Sequence, residues 1–244
     1  MPARPYYQSP LAHIHDQHYG QHARLAAQEL LNQLRARGLR RGLIVGLGCG
    51  SGILEEAMAR EGYEVSGVDY SEALIGIARQ RCPQGQFIVG SLMDFGIPPC
   101  LAVTAVGEVL NYRFDERRRL ENLLPLFERV YHSLQPGGIF LFDVIEPGIT
   151  DGVPPVRLLE NEQWDMLLNF SEDKEAATLR REITLFRKEG ELYRKSKEVH
   201  RLNLYRREKV QQLLEKAGFN VAVTGHFAGQ ALRRHNPGFI AERP

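Results

Sequence analysis

An apolar run that leads directly into a glycine-rich turn, GLIVGLGCGSG at residues 42–52, is the feature that most constrains this fold. The apolar residues predict a buried strand. The glycines predict a turn with positive φ angles, whose backbone can lie against a ligand. The dinucleotide-binding pattern G-x-G-x-x-G fails in every reading frame; from Gly48, for example, the sixth position is Ile53. The stretch therefore predicts a strand, a ligand-sized turn and a helix, without that fingerprint.

Short apolar strands alternate with helices over most of the chain. We predict strands at 42–46, 63–69, 86–90, 101–106 and 139–145, and helices at 21–37, 53–62, 71–82, 115–134 and 207–219. This alternation is typical of βαβ units with a parallel sheet. Residues 220–227 and 238–243 predict a final antiparallel pair at the sheet edge. The predicted fold class is α/β: a Rossmann-like, doubly wound, seven-stranded, mostly parallel sheet with an antiparallel last strand.

The pattern changes after Pro147, where segments rich in β-forming residues follow one another. We predict a small antiparallel β insertion after strand 5, which covers the substrate; a purely structural meander is the alternative. The predicted parts of the chain are an N-terminal lid segment and helix at 1–40, a cofactor-binding domain at 41–148 and 206–244, and the insertion at 149–205.

Composition and charge narrow the function classes. The apolar content of 43% and the charged content of 25% are ordinary for a globular protein, and the net charge of +1 argues against nucleic-acid and membrane partners. Three dispersed cysteines favour a reduced environment over a disulfide framework. No apolar run approaches the roughly 20 residues of a membrane span, and MPARPYYQSP has no signal-peptide core. We expect a cytoplasmic monomer or homodimer.

An acidic residue stands at the end of the second predicted strand. Asp69, in VSGVDYSEA, follows Gly50 by about 20 residues. At that spacing in nucleotide-binding βαβ folds, a carboxylate accepts the two hydroxyl groups of a ribose. The alternative is that Asp69 only assists the cap of the helix that begins at Ser71.

These motifs together resemble a known family. GLIVGLGCGSGILEEAMAREGYEVSGVDYSEALIGIAR resembles the first two motifs of the class I S-adenosylmethionine-dependent methyltransferases. FIVGSLMDF is similar to their third motif, LAVTAVGEVLNY to the fourth, and LQPGGIFLFDV to the strand that follows. The resemblance covers residues 40–145. It implies the fold and the cofactor S-adenosylmethionine, with S-adenosylhomocysteine as product, and says little about the acceptor.

The resemblance also implies cofactor-binding residues. The glycine turn would lie against the methionine part and the ribose, Asp69 would bind the ribose hydroxyls, and Tyr70 would lie along the adenine. Asp94 would bind the exocyclic amine of the adenine. The full implied set is Gly46, Gly48, Cys49, Gly50, Gly52, Asp69, Tyr70, Ser91, Leu92, Met93, Asp94 and Glu108.

Two of these positions depart from the family pattern. Many relatives have an acid in place of Ser91, and relatives commonly have Asp or Glu in place of Gly46, where the acid orders the turn and reaches the cofactor's amino group. Either this chain holds the amino group in another way, with Glu108 as one substitute, or it is a degenerate cofactor-binding protein. We expect Gly46→Asp to tighten cofactor binding or to leave it unchanged.

Methyl transfer needs an aligned nucleophile, and a base where the acceptor is a hydroxyl or a protonated amine. The predicted catalytic residues are Glu108, Asn111 and Tyr112 from GEVLNYRF, with Tyr19 or His18 from the N-terminal segment. As alternatives, Tyr112 only packs and Asn111 only caps a turn.

The N-terminal stretch HIHDQHYGQH, residues 13–22, concentrates histidines. Its spacing fits no familiar metal site, so we predict no metal. We predict instead a lid over the cofactor, formed by Tyr6, Tyr7, His18 and Tyr19. In the insertion, Arg201 and Tyr205 would suit a carboxylate or a sugar on the acceptor.

The sequence therefore predicts a methyltransferase that modifies N or O of a small molecule. The alternatives are an RNA or protein methyltransferase, or a cofactor-binding protein that has lost turnover. The acceptor itself is not predicted.

Overall fold

The computed structural model describes residues 7, 9–18, 20–113, 115, 117 and 119–244. The helices are α1 (Ser9–His18), α2 (Gln21–Ala36), α3 (Ile53–Arg60), α4 (Glu72–Arg81), α5 (Leu120–Ser133) and α6 (Arg207–Lys216). The strands are β1 (Leu43–Leu47), β2 (Glu64–Asp69), β3 (Gln86–Val89), β4 (Cys100–Ala105), β5 (Leu134–Asp143), β6 (Val156–Glu160), β7 (Trp164–Asp173), β8 (Thr178–Glu189), β9 (Leu192–Asn203), β10 (Asn220–Thr224), β11 (His226–Phe227), β12 (Gln230–Ala231) and β13 (Gly238–Glu242).

Seven strands form the central sheet in the order β10-β13-β5-β4-β1-β2-β3. The pairs from β5 to β3 are parallel, whereas β13 runs antiparallel to both β5 and β10. This confirms the predicted fold class. Because the parallel strands all point the same way, the carboxyl ends of β1, β2, β4 and β5 meet at one edge of the sheet.

Helices cover both faces of this sheet, which explains why its strands are almost continuously apolar. On one face, α5 and α6 pack on β4 and β5 through a core that includes Phe127, Phe140 and Phe142. On the other face, α2, α3 and α4 pack on β1 and β2 around Leu30 and Ile75. The helices leave uncovered the edge where the carboxyl ends of the parallel strands meet, and a ligand can bind there.

The predicted antiparallel insertion is present between β5 and α6, as a four-stranded sheet in the order β6-β7-β8-β9. The sequence analysis missed β6, which stands at the edge of this sheet and is exposed along its length. Gly190, with a φ of 63°, opens the two-residue turn between β8 and β9.

Helix α1 was not predicted, because residues 1–20 show no clear helical periodicity. Its apolar residues Leu11 and Ile14 pack against Trp164, Met166 and Ile183 of the insertion. Tertiary packing therefore outweighs local propensity in this segment. The N-terminal segment and the insertion together cover the carboxyl edge of the central sheet.

The predicted start of α5 was wrong. That helix begins at Leu120 rather than at residue 115, because Asp115 instead accepts hydrogen bonds from Ser91 and Arg117.

Among the residues that the structure describes, no helix combines the length and the apolar character that crossing a membrane requires.

Candidate active site

The turn between β1 and α3 has the backbone form that its glycines predict. Gly48, Gly50 and Gly52 have φ angles of 75°, 55° and 74°. A Cβ atom on Gly48 would overlap the side chain of Val109, whereas Gly50 faces open space. The N–H of Gly48 donates to the Val68 carbonyl at 2.7 Å and so ties the turn to β2. The result is bare backbone at the wall of a cavity.

This first cavity lies at the carboxyl ends of β1, β2 and β4 and encloses about 910 Å³, including its mouth. Its lining residues are Tyr7, His15, Gly20, Ala23, Gly48, Cys49, Gly50, Ser51, Ile53, Leu54, Glu55, Asp69, Tyr70, Ser71, Leu74, Thr104, Val106, Gly107, Val109 and Tyr112. The turn, Asp69 and Tyr70 are thus brought together.

Asp69 is held in place by two backbone donors. Its Oδ2 accepts the N–H of Gly50 at 3.0 Å and its Oδ1 accepts the N–H of Ser71 at 2.8 Å. A carboxylate has further acceptor capacity, so both oxygens can still accept ligand hydroxyls. The cap of α4 is supplied by Ser71, whose Oγ accepts the N–H of Leu74 at 3.2 Å. Ser71 is therefore the cap residue itself, and the bond from its N–H means that Asp69 supports the cap while it also lines the cavity.

Of the residues predicted to lie near the adenine, Tyr70 lines this cavity, whereas those in the stretch 91–94 do not. Asp94 is exposed and forms a bidentate ion pair with Arg117, at 2.6 and 2.8 Å. The Oγ of Ser91 donates to Asp115 at 2.6 Å. Leu92 is buried in the core beneath α5, and Met93 packs against the same core; both are absent from the cavity lining.

Gly46 also lies outside the lining, because the carboxyl group of Glu55 fills the space beside it. A Cβ atom on Gly46 would overlap Glu55 Oε1 and would lie 3.0 Å from Cys49 Cβ. An aspartate at position 46 therefore requires the flexible end of the Glu55 side chain to move, and the expected effect of Gly46→Asp on cofactor binding stays a prediction. Glu55 is 1% exposed, and among the described residues its Oε2 has no hydrogen-bond partner. The sequence analysis gave it no role.

A second cavity adjoins the first and encloses about 1030 Å³, including its mouth. The two cavities share Tyr7, His15, Ala23, Val106, Gly107 and Tyr112. The second is lined further by Leu11, His22, Glu108, Asp143, Met166, Leu168, Phe170, Arg181, Ile183, Arg233 and Asn236. Its apolar wall comes mostly from β7 and β8 of the insertion.

Glu108 belongs to this second cavity and does not line the first. It has a φ of 64°, which is a strained conformation for a residue with a side chain. Its Oε2 accepts a hydrogen bond from Arg181 at 2.7 Å, and both side chains are 15% exposed. Glu108 is therefore paired within the second cavity, outside the lining of the first, and its predicted contact with the cofactor's amino group stays a prediction.

The carboxylate of Asp143, at the end of β5, is fully buried and organises the same cavity. It accepts the N–H groups of Gly107 at 2.6 Å and Glu108 at 3.1 Å, and the side-chain amide of Asn236 at 2.8 Å. Nε2 of His22 lies 3.4 Å from Asp143 Oδ1, which is an ion-pair distance. These contacts fix the carboxylate beside the imidazole.

The pKa values of this pair follow from the geometry. Burial opposes charge on both groups, but the contacts between them outweigh it. The pKa of Asp143 lies below its usual value, because His22, Asn236 and the Gly107 N–H all favour the anion. The pKa of His22 lies above 6.5, because the Asp143 carboxylate stabilises the imidazolium. His22 is therefore a group that can take up a proton at the wall of the second cavity.

Two tyrosines separate the cavities. The hydroxyl groups of Tyr7 and Tyr112 are 2.8 Å apart. The backbone of Tyr7 is held at both ends, because its N–H donates to Glu198 and its carbonyl accepts from Ser71 Oγ, each at 2.8 Å. Burial raises the pKa of Tyr7 to about 12, and burial also raises the pKa of Tyr112. Both hydroxyl groups are therefore neutral at physiological pH.

Asn111 does not line either cavity. Its Nδ2 donates to the carbonyls of Ile145 at 3.1 Å and Asn203 at 2.7 Å, and its Oδ1 accepts the N–H of Ile145 at 3.0 Å. The fully buried amide links the end of β5 to the end of β9. Its role is to join the insertion to the central sheet, so the catalytic prediction for Asn111 does not fit the structure.

The structure describes only some of the residues that were predicted to act from the N-terminal segment. Tyr6, Tyr19 and the side chain of His18 lie outside the described residues, and Tyr7 lines both cavities. The lid itself stays a prediction. Asp16 forms an ion pair with Arg81 at 2.6 Å. Within the described ranges, no group of three or more His, Cys, Asp or Glu side chains could hold a metal ion.

The insertion faces the site with residues other than those predicted. Arg201 is exposed and Tyr205 is buried, and neither lines a cavity. Arg181 takes the place of Arg201 as the buried cation. Of the missed residues, Asp143 did carry a signal, since it is an acid at the end of an apolar parallel strand.

Comparisons with known proteins agree with this geometry. A family profile described as "Methyltransferase domain" matches residues 19–223. A protein of Geobacillus sp. (strain WCH70), whose name describes it as a methyltransferase, is 28% identical over 215 residues, which is 84% of each chain.

Two solved structures share the fold. An S-adenosylmethionine-dependent methyltransferase from Clostridium acetobutylicum ATCC 824 has a TM-score of 0.80 at 16% identity, and the match covers 96% of this chain and 97% of that one. CalS10, an amino pentose methyltransferase from Micromonospora echinaspora, has a TM-score of 0.75 at 21% identity, with 99% of each chain covered. Since the family profile spans most of the chain, this chain belongs to the class I S-adenosylmethionine-dependent methyltransferases, and S-adenosylmethionine is its cofactor.

Proposed function

We propose that this chain transfers a methyl group from S-adenosylmethionine in the first cavity to an amine nitrogen or a hydroxyl oxygen of a small molecule in the second cavity. The observation that carries the proposal is that the two cavities adjoin along Val106, Gly107 and the Tyr7–Tyr112 pair. A donor in one and an acceptor in the other would meet at these residues.

The residues of the first cavity fit the cofactor. The carboxylate of Asp69 suits the ribose hydroxyls, the bare backbone at Gly48 and Gly50 allows close approach, and the unpartnered oxygen of Glu55 suits a cationic group. When bound, S-adenosylmethionine supplies an activated methyl group on a sulfonium. The protein then needs to align the acceptor and to exclude water.

The residues of the second cavity supply what the acceptor needs. A protonated amine must lose a proton before its nitrogen can attack, and a hydroxyl must lose its proton as the new bond forms; neutral His22 can accept that proton in either case. Asp143 orients the imidazole and stabilises the imidazolium, as a buried carboxylate does in other acid–base pairs. The hydroxyls of Tyr7 and Tyr112 bind each other between the cavities.

The charge pattern of the second cavity favours a polar acceptor of modest size. Glu108 and Arg181 present a paired carboxylate and guanidinium at one side, and Leu168, Phe170 and Ile183 line an apolar wall. An acceptor that combines ring or aliphatic surface with several hydroxyl or amino groups would satisfy both. The amino pentose methyltransferase that shares this fold gives one such class to test, an amino sugar.

The test is turnover on a panel of small amines, amino sugars and phenols, with S-adenosylhomocysteine formation and the mass of the methylated product as readouts. We expect at least one acceptor to gain 14 mass units. As a matched pair, His22→Gln should lose turnover while His132→Gln, an exposed histidine on α5, should keep it. Methylation of transfer RNA or protein in place of every panel member would contradict the proposal.

A further inference from the structure

Glu55 is a buried acid whose carboxyl group is only partly satisfied inside the described protein, where a hydrogen bond with its own backbone favours the anion. Glu55 is 1% exposed and lines the first cavity, and its Oε2 makes no hydrogen bond to any described residue. A buried ionised carboxylate without a partner is costly, so such a group is either protonated or paired with a cation. A ligand in the cavity is the partner that the structure leaves open.

The position of this carboxyl group is tied to Gly46. At the end of β1, Gly46 has no side chain, and the carboxyl of Glu55 fills the space where a Cβ at position 46 would lie. The helix α3 begins at Ile53, so Glu55 reaches back from the first turn of α3 toward the strand. The acid that relatives carry on β1 is thus absent, while a carboxyl group from α3 occupies the same place.

We propose that Glu55 is the residue that binds the ammonium group of the cofactor's methionine part, in place of an acid at position 46. The inference rests on the cofactor assignment and is independent of the acceptor. S-adenosylhomocysteine carries this ammonium but no sulfonium, so it isolates the contact. The alternative partner within the cofactor is the sulfonium itself.

The surroundings of Glu55 add a measurable consequence. Burial raises the pKa of Glu55 to about 8, and the nearby anion Asp69 acts in the same direction. At pH 7 the unliganded carboxyl is therefore mostly protonated. Because an ammonium ion favours the carboxylate, ligand binding at pH 7 should release close to one proton.

Three other titratable groups near Glu55 do not change their protonation state around pH 7. Burial raises the pKa of the Cys49 thiol in the turn and of the Cys82 thiol after α4, so both remain protonated. Burial lowers the pKa of His15 on α1 to about 4, so it remains neutral. His22, whose pKa is raised by Asp143, lines only the second cavity, so the proton release that is lost in Glu55→Gln reports on Glu55. The affinity should rise as the pH goes from 6 to 8.

The experiment is calorimetric titration of S-adenosylhomocysteine at pH 7 in buffers of different ionisation enthalpy. We expect the wild type to release about one proton, and Glu55→Gln to release none and to bind about tenfold to a hundredfold more weakly. The control is Glu56→Gln, the neighbouring residue on the same helix, whose carboxylate pairs with Arg60 at 2.6 Å. It should behave as the wild type.

Two further arms separate the explanations. Methylthioadenosine, which lacks the amino acid part, should bind the wild type without proton release. The double variant Gly46→Asp/Glu55→Ala returns the acid to β1 where space has been vacated, and it should bind more tightly than Glu55→Ala. Thermal unfolding of each variant checks that it is folded.

The outcomes are distinguishable. Binding of S-adenosylhomocysteine with no proton release by the wild type, or with the same release by Glu55→Gln, would overturn the role of Glu55 and leave the cofactor assignment intact. Failure of the wild type to bind S-adenosylhomocysteine at all would overturn both.

Discussion

The two cavities of this protein are built in different ways. The first takes most of its wall from residues 48–55, 69–74 and 104–109, which lie at or just after the ends of β1, β2 and β4. The second combines residues at the ends of β4 and β5 with side chains from α1, α2, the insertion and the loop before β13. A cofactor site made by neighbouring strand ends is a property of the sheet, whereas the acceptor site also depends on elements that are added around it.

The largest effect should come from the second cavity. Removing the imidazole in His22→Gln should lower kcat by about a hundredfold to ten-thousandfold, because proton acceptance by a positioned base is worth that much. The dissociation constant of S-adenosylhomocysteine should stay within about twofold, which a merely structural role would not spare. For the wild type, kcat/KM should rise with pH through a pKa above 6.5, as the imidazole becomes neutral.

His132→Gln, in an exposed position, is the control for this variant. If His22→Gln retained more than about a third of kcat, or if the pH profile were flat between 6 and 8, His22 would not be the base.

The next effect should come from the first cavity. Asp69→Ala removes the acceptor of both ribose hydroxyls, and each such bond contributes about 1.5–3 kcal/mol, so cofactor affinity should fall at least about a hundredfold. Asp94→Ala should leave affinity unchanged, because Asp94 is exposed and paired with Arg117 outside the cavity. Calorimetry on both variants measures the contrast. An equal loss of affinity in both variants would indicate that the adenine binds near Asp94 and that the first cavity is not the complete cofactor site.

A stability measurement probes Glu55 without any ligand. The pKa of Glu55 is about 8 in the folded chain and near 4.5 unfolded, so between these values the unfolded state binds fewer protons. Folding stability contributed by this site must therefore fall as pH rises from 5 to 7.5, by an amount on the order of 1.4 kcal/mol per pH unit. Glu55→Gln should lack this slope in urea unfolding experiments. A wild type and a variant with parallel pH dependence would be the opposing result.

The smallest effect concerns the boundary between the cavities. Tyr7→Phe removes one hydroxyl of the 2.8 Å pair with Tyr112 and should cost about 0.5–1.5 kcal/mol of stability, with a several-fold rise in acceptor KM. Tyr193→Phe, in a mostly exposed position on β9, should change neither quantity. A normal KM for Tyr7→Phe would argue that this pair has no part in separating donor from acceptor.

The same contrast explains what could be predicted from the sequence. The glycine turn and Asp69 are local signals, because a few residues at fixed spacing determine their conformation. The order of strands and helices also follows from local periodicity. The central sheet, the glycine turn and Asp69 could therefore be predicted from the sequence alone.

The missed residues have contacts that no short window of sequence contains. His22 meets Asp143 only because α2 packs beside the end of β5, and Arg181 meets Glu108 only because the insertion folds over β4. Glu55 fills the space beside Gly46 from α3, a different element. From the sequence alone, Gly46 therefore indicated only that the family's acid on β1 is absent. In α1, packing of Leu11 and Ile14 on the insertion creates a helix that the local pattern does not indicate.

A crystal structure of the chain with S-adenosylhomocysteine would show whether the two cavities form one site. We expect the ribose hydroxyls to bind Asp69, the ammonium group to bind Glu55, and the sulfur atom to face Val106 and Gly107, where the second cavity begins. A ligand bound elsewhere, or one whose sulfur atom faces away from the second cavity, would contradict the claim that the two cavities form one site for methyl transfer.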